Sequence, residues 1–207
     1  MPDRSTLRGV LILALLFVAC RPKQQEQQAT PPDPHPVVVL ETTKGRIVME
    51  LDREKAPITV ANFLAHVRAG FYDGLIFHRV EPGFVIQAGY YTPDGRRART
   101  SADPIPNESE NGLSNLRGTV AMARTDYPHS ATTQFFINLV DNRKLDRDQY
   151  QDGWGYAVFG RVIEGMDVVD SIAAVPTTRE FGQNYWPVEP VVITKAYVQG
   201  KDAAQDG

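Results

Sequence analysis

The stretch Phe77-His78-Arg79-Val80-Glu81-Pro82-Gly83-Phe84-Val85-Ile86-Gln87-Ala88-Gly89 decides how the chain is read. Apolar residues flank one arginine and one glutamine, and a Pro-Gly pair interrupts them, the pattern of strand, tight turn, strand. Strand side chains alternate between faces. Phe77 and Arg79 are therefore expected on one face of the first strand, and Val85 and Gln87 on one face of the second. Phe84 falls at the strand entrance, where the chain is still turning. Such a hairpin carries a guanidinium, an amide and aromatic rings to one patch that has donors but no nucleophile. Taken alone, it also suits a plain hairpin with an exposed arginine.

Upstream, the β-rich runs 37–40 and 46–51 flank Thr42-Thr43-Lys44-Gly45, a second hairpin with glycine at its turn. Pro57 then opens a helix at a position where its missing N–H costs nothing. Val60, Phe63, Leu64 and Val67 recur at helical spacing, and Gly70 ends the run. Downstream, residues 91–111 read as a polar, Pro-rich loop containing Arg96, Arg97 and Arg99. Residues 119–123 and 134–139 read as strands. The charged segment 141–153 reads as exposed, and residues 154–162 carry a partly aromatic strand. Residues 165–174 form a short amphipathic helix with Met166, Val169 and Ile172 on one face, and residues 191–198 a closing strand. Many short strands with two helices predict a mainly β fold, a closed barrel with helices over its ends.

The 207 residues suffice for one domain and extra segments, with 42% hydrophobic and 23% charged residues. A net charge of -3 argues against nucleic acid as a partner. One cysteine makes no internal disulfide, and His35, His66, His78 and His129 show no metal-ligand spacing; most of them are expected on the surface or in loops.

The N-terminus reads as a targeting segment. Arg4 and Arg8 precede the apolar run 10–18, too short to span a bilayer, which takes about 20 residues. The run closes on Phe17-Val18-Ala19-Cys20, which resembles a bacterial lipobox whose cysteine is acylated. Residues 1–19 are therefore expected as a lipoprotein signal peptide. Residues 20–36, rich in Gln and Pro, are expected as a lipidated cysteine with a disordered or polyproline tether. Residues 37–198 form the folded domain and 199–207 a disordered tail. The address expected is the bacterial cell envelope, lipid-anchored and facing the periplasm. Arg21 after the cysteine favours the outer membrane.

Four motifs resemble, in order, the cyclophilin-type peptidyl-prolyl isomerases: Phe77-His78-Arg79-Val80, Pro82-Gly83-Phe84-Val85-Ile86-Gln87-Ala88-Gly89, Gln134-Phe135-Phe136-Ile137 and Val158-Phe159-Gly160-Arg161-Val162. Asn111-Gly112-Leu113 and Arg117-Gly118-Thr119-Val120-Ala121-Met122-Ala123-Arg124-Thr125 look like the bacterial periplasmic branch. The resemblance implies a closed eight-stranded antiparallel β-barrel capped by two α-helices, with the site on its outer wall. It implies Arg79 as the catalytic arginine, with Phe84 beside it and Gln87 ordering Arg79 and substrate. Phe84, Val85, Phe136 and Trp154 are implied as the wall of a proline pocket, and Ala123, Arg124 and Gln134 as positions along the peptide groove. Tyr156 stands where eukaryotic members have histidine, and Arg124 where they have asparagine.

Rotating an X–Pro bond means crossing a barrier of about 18–20 kcal/mol with no covalent change. A guanidinium can donate to the prolyl nitrogen as it pyramidalises, and an apolar pocket can hold the ring while the acyl side turns. No metal, nucleotide or other cofactor is called for. The expected partners are proline-containing, unfolded or partly folded polypeptides, with the protein monomeric. The resemblance also implies that cyclosporin binds, more weakly than to eukaryotic members, with Trp154 covering it. The reading from a different class is a membrane-tethered proline-motif chaperone or scaffold with little turnover.

Overall fold

A computed structural model describes residues 32–98 and 102–200. The signal peptide, Cys20, the tether as far as Pro31, Arg99 and the tail from 201 onward lie outside the described residues.

The strands follow the alternation of apolar residues. β1 (Val37–Thr42) and β2 (Gly45–Leu51) form the first hairpin. α1 (Pro57–Arg68) starts with Pro57 in its first turn and buries Val60, Phe63, Leu64 and Val67. No acidic residue of its own serves that first turn. Instead the Glu108 carboxylate accepts from Ile58 N (3.1 Å) and Thr59 N (2.8 Å), satisfying donors that a helix start leaves free. β3 (Arg79–Glu81) and β4 (Val85–Ala88) form the second hairpin. Its turn has Pro82 then Gly83 at φ +72°, with Phe84 N donating to Glu81 O at 3.1 Å. That is the type II pattern, which demands glycine at the third position. β5 (Thr119–Met122), β6 (Phe135–Asn138), β7 (Val158–Glu164), α2 (Met166–Ala173) and β10 (Ile193–Gln199) complete the expected set.

These strands form one antiparallel sheet in the order β10-β1-β2-β7-β5-β6-β4-β3. Along one face of it, Val80, Ile86, Ile137 and Val120 are successive cross-strand partners, and all are fully buried. They join Phe63, Phe135 and Phe159, whose rings meet at 5.1–5.2 Å, and Val169 and Ile172 of α2. Full burial contributes roughly 1.5–3 kcal/mol per large apolar side chain. α1 packs towards β10, and α2 towards β2, β3 and β4.

The sheet is open and curled, where a closed barrel was expected. Its edge strands β3 and β10 share no ladder; the chains leading into them meet at one bridge, Ile76 to Val192. Phe77 N to Val191 O (3.0 Å) and Ile193 N to Leu75 O (2.8 Å) flank it. A three-residue β3 leaves too little extended backbone to zip the edges together. A further hairpin, β8 (Thr177–Glu180) with β9 (Gln183–Pro187), was not anticipated. β9 lies beside β3, and Trp186 is buried with Ile76 and Tyr91, so the hairpin shields the edge of the sheet.

Residues 34–36, assigned from sequence to the tether, run beside β2. Pro36 O accepts from Leu51 N at 2.9 Å and Pro34 O from Arg53 N at 3.0 Å. Prolines lack the donor but keep the carbonyl, so they serve here as acceptors.

Candidate active site

The site residues come from strand register. Arg79 in β3 stands opposite Gln87 in β4, Gln87 opposite Phe136 in β6, Phe136 opposite Ala121 in β5, and Ala121 opposite Val158 in β7. Directly opposed antiparallel residues share a face, so these five line one row across the outside of the sheet. Val85 shares the row's face, as period 2 requires. Phe77 does not share it with Arg79: it is fully buried in the core, outside β3. The alternation fails because the chain is not yet a strand at Phe77.

Above this row is a groove of about 530 Å³. Arg79, Phe84, Val85, Gln87, Ala123, Arg124, Phe136 and Tyr156 line it, with Lys144, Leu145, Tyr150 and Gln151, which sequence reasoning did not single out. Val85, Phe136 and Leu145 form its apolar floor, packed on the buried Ala121 and Val158. The segment 141–153, expected to be exposed, thus supplies Leu145, which is 6% exposed, and the half-buried Tyr150.

Arg79 is held by Glu81, two residues along the same strand face, with Nη2 to Oε2 at 2.5 Å and Nε to Oε2 at 3.2 Å. Its guanidinium carbon lies 5.4 Å from the centre of the Phe84 ring. Gln87 was expected to order Arg79, but its Nε2 donates to Gln134 Oε1 at 2.9 Å. A charge-assisted bond to a neighbouring carboxylate outcompetes a neutral amide, which is why the arginine turns to Glu81. Gln134 also lies close to His78, which is 2% exposed in the loop before β3. Burial, then the charge of Arg79, push the His78 pKa down to about 4. Gln134 therefore stands behind Gln87 and not in the groove lining.

Phe84 is fixed through its backbone. Its carbonyl accepts from Leu139 N at 2.9 Å and Asn142 Nδ2 at 2.9 Å. Asn142 also donates to Asn138 Oδ1 (2.9 Å), and Asn138 to Asn115 Oδ1 (3.2 Å), a buried amide chain. Asp146 holds its far end, accepting from Asn115 N at 2.7 Å and from the Ser114 hydroxyl.

Arg124 is a buried support. Its side chain is 3% exposed and pairs with Asp152, while Nε donates to Gly155 O at 2.8 Å. Its guanidinium lies 4.8 Å from the Tyr156 ring centre and 5.4 Å from that of Tyr150. Desolvation raises the Asp152 pKa, but hydrogen bonds from the Trp154 and Gly155 N–H groups and from Arg124 outweigh it, and the net shift is downward. Tyr156 meets Phe136 edge-on at 5.7 Å, and burial raises its pKa.

Trp154 is not brought to the groove. Its indole packs 4.6 Å from the His129 ring and 4.3 Å from the Arg147 guanidinium. Gly155, in the left-handed region at φ +61°, turns the chain between it and Tyr156; a Cβ there would lie 2.4 Å from Leu145 O. The groove rim that Trp154 was expected to cover holds Lys144, with Nζ 4.8 Å from the Phe84 ring centre.

An open curled sheet with an apolar groove on its outer face, edged by a guanidinium and an amide, defines a peptide-binding class of site. The cyclophilin type peptidyl-prolyl cis-trans isomerase/CLD family model matches residues 37–198. The chain is 57% identical over 164 residues to peptidyl-prolyl cis-trans isomerase cyp18 of Streptomyces antibioticus, covering 79% of this chain and 98% of that one. It is 50% identical over 163 residues to peptidyl-prolyl cis-trans isomerase B of Escherichia coli, covering 78% and 99%. A crystal structure of a Cryptosporidium parvum cyclophilin-type isomerase shares the fold at a TM-score of 0.66 and 24% identity, over 81% of this chain and 99% of that one. The chain belongs to the cyclophilin-type peptidyl-prolyl cis-trans isomerases. It is an enzyme that rotates X–Pro bonds, and its family binds proline-containing peptides.

Proposed function

We propose that this isomerase acts on unfolded or partly folded proteins of the bacterial cell envelope, tethered to the membrane by a lipid on Cys20, and that the groove is where X–Pro bonds turn. The observation that carries the site is the register row Arg79–Gln87–Phe136 beneath the groove. The prolyl ring sits on Val85, Phe136 and Leu145. Arg79, preset by Glu81, donates to the prolyl nitrogen as it pyramidalises, and this interaction is stronger in the twisted state than in either planar one. The apolar floor removes water, which favours the twisted amide with its smaller charge separation. Gln87, oriented by Gln134, addresses the peptide backbone, and Ala123 with Tyr156 borders the path of the chain.

The anchor rests on the sequence: Arg4 and Arg8, the apolar run and Cys20 at its end. Each buried methylene of an acyl chain contributes about 0.8 kcal/mol, so two or three chains hold the protein on a bilayer. Arg21 after the cysteine supports the outer membrane. The domain works as a monomer.

Full-length protein in detergent, assayed for exchange of a short X–Pro peptide, tests the site. Faster exchange that is lost in Arg79→Ala supports it. Peptide binding without faster exchange would favour the chaperone or scaffold reading. Intact mass of protein from a bacterial envelope tests the anchor: an unmodified Cys20 overturns it.

A further inference from the structure

Three cations line the groove, Arg79, Arg124 and Lys144, and no carboxylate does. Two of them are neutralised. Arg79 pairs with Glu81, and the buried Arg124 pairs with Asp152. Lys144 is exposed and has no carboxylate partner among the described residues. Of the acids on its own segment, Asp146 holds Ser114 and Asn115, Asp152 pairs with Arg124, Asp141 accepts from Arg117 N at 3.0 Å, and Asp148, which shares a surface hollow with Lys144, accepts from Gln149 Nε2 at 3.2 Å and forms no ion pair with the lysine. One positive charge without an ion pair among the described residues thus stands at the rim, 4.8 Å from the ring centre of Phe84, on a protein whose net charge is -3.

A lysine on a flexible stem placed there meets whatever flanks a bound proline. An extended peptide advances about 3.3–3.6 Å per residue. A group next to Phe84 therefore reaches side chains one or two positions from the ring seated on Val85 and Phe136. We infer that Lys144 is a specificity-determining residue, which selects X–Pro segments carrying Asp or Glu beside the proline over those carrying Lys or Arg. This rests on the groove being the proline site.

The test uses full-length protein in detergent and a set of peptides with Glu, Gln or Lys just before or just after the proline. The readout is the ratio of kcat/KM for Glu over Lys peptides, which does not depend on how much folded enzyme each preparation holds. An exposed pair of this kind gives a ratio of roughly two to five at the position Lys144 reads. The ratio falls towards one in about 1 M salt, where the screening length is about 3 Å. It persists in Lys144→Arg and inverts in Lys144→Glu. A wild-type ratio of one at both positions, or a ratio unmoved by Lys144→Glu, overturns the inference. Failure of the wild type to turn over even the Gln peptides would overturn the assignment of the proline site, and the inference with it.

Discussion

Arg79 and Phe136 stand one strand apart, each directly opposite Gln87. A donor and an apolar wall far apart in sequence are thus fixed at sheet spacing by backbone hydrogen bonds, before any side chain is placed. The arrangement is pre-organised, and its parts can be removed singly.

Arg79→Ala should lower kcat/KM by about a hundredfold or more, the usual effect of losing one preset donor. Its pair with Glu81 is partly exposed, 38% at the arginine, so stability should change by less than about 1 kcal/mol. Arg79→Lys should recover only part of the rate, because a point charge lacks the planar fork. Near-normal turnover in a folded alanine variant removes Arg79 from the chemistry.

Asn142 is 4% exposed and ties the Phe84 carbonyl to Asn138. Asn142→Ala strands a buried amide oxygen on Asn138, which costs about 1–3 kcal/mol. Urea unfolding should show that loss, and KM should rise as Phe84 loosens. A variant as stable as the wild type would mean the amide chain is not coupled to the fold.

Trp154 lies against His129 and Arg147, away from the groove. Trp154→Ala should leave the KM of a proline peptide, and the inhibition expected from cyclosporin, unchanged within about twofold, an effect below roughly 0.4 kcal/mol. Titrations of both proteins decide this; a large loss on removing the indole would place Trp154 at the ligand.

His78 titrates at about 4 when folded, against 6.5 for the ordinary side chain, because burial and then Arg79 disfavour its charge. The unfolded chain therefore binds the extra proton between these values, and stability rises with pH across that window. The stabilisation is fully present above pH 6.5 and gone below about 4, a span of about 3 kcal/mol. His78→Gln should flatten this part of the profile of unfolding free energy against pH. An unchanged slope between pH 4 and 6.5 would refute it.

The parts of this fold that alternate cleanly were legible. The Arg46–Leu51 alternation, the helical spacing of Val60, Phe63, Leu64 and Val67, and the Pro82-Gly83 turn each signal themselves locally. The β8–β9 hairpin did not, because Thr177–Glu180 is polar and its packing depends on one residue, Trp186. Its aromatic neighbours Phe181 and Tyr185 adopt positive φ, of 47° and 60°, which no propensity anticipates. Closure of the sheet was misjudged because it depends on how two distant edges meet. At the site, the residues of the register row were visible as motifs. Lys144 and Leu145 were not, since a charged segment gives no sign that one of its residues turns inward. Trp154 was misplaced because the fold at Gly155 depends on the close approach of Leu145 O. Glu81 was within reach of the reasoning, because it shares a strand face with Arg79.

β1 pairs along its whole length with β10, and Val37 stands opposite Gln199. The first strand of the domain therefore waits for the last before one flank of its sheet is complete. A chain emerging from a ribosome or a translocation channel cannot finish this structure until its final strand is free. The same pairing brings the two ends of the domain side by side. A short linker from Gln199 to Val37, with new termini opened in an exposed loop, should give a circularly permuted enzyme with the same groove and a different order of assembly.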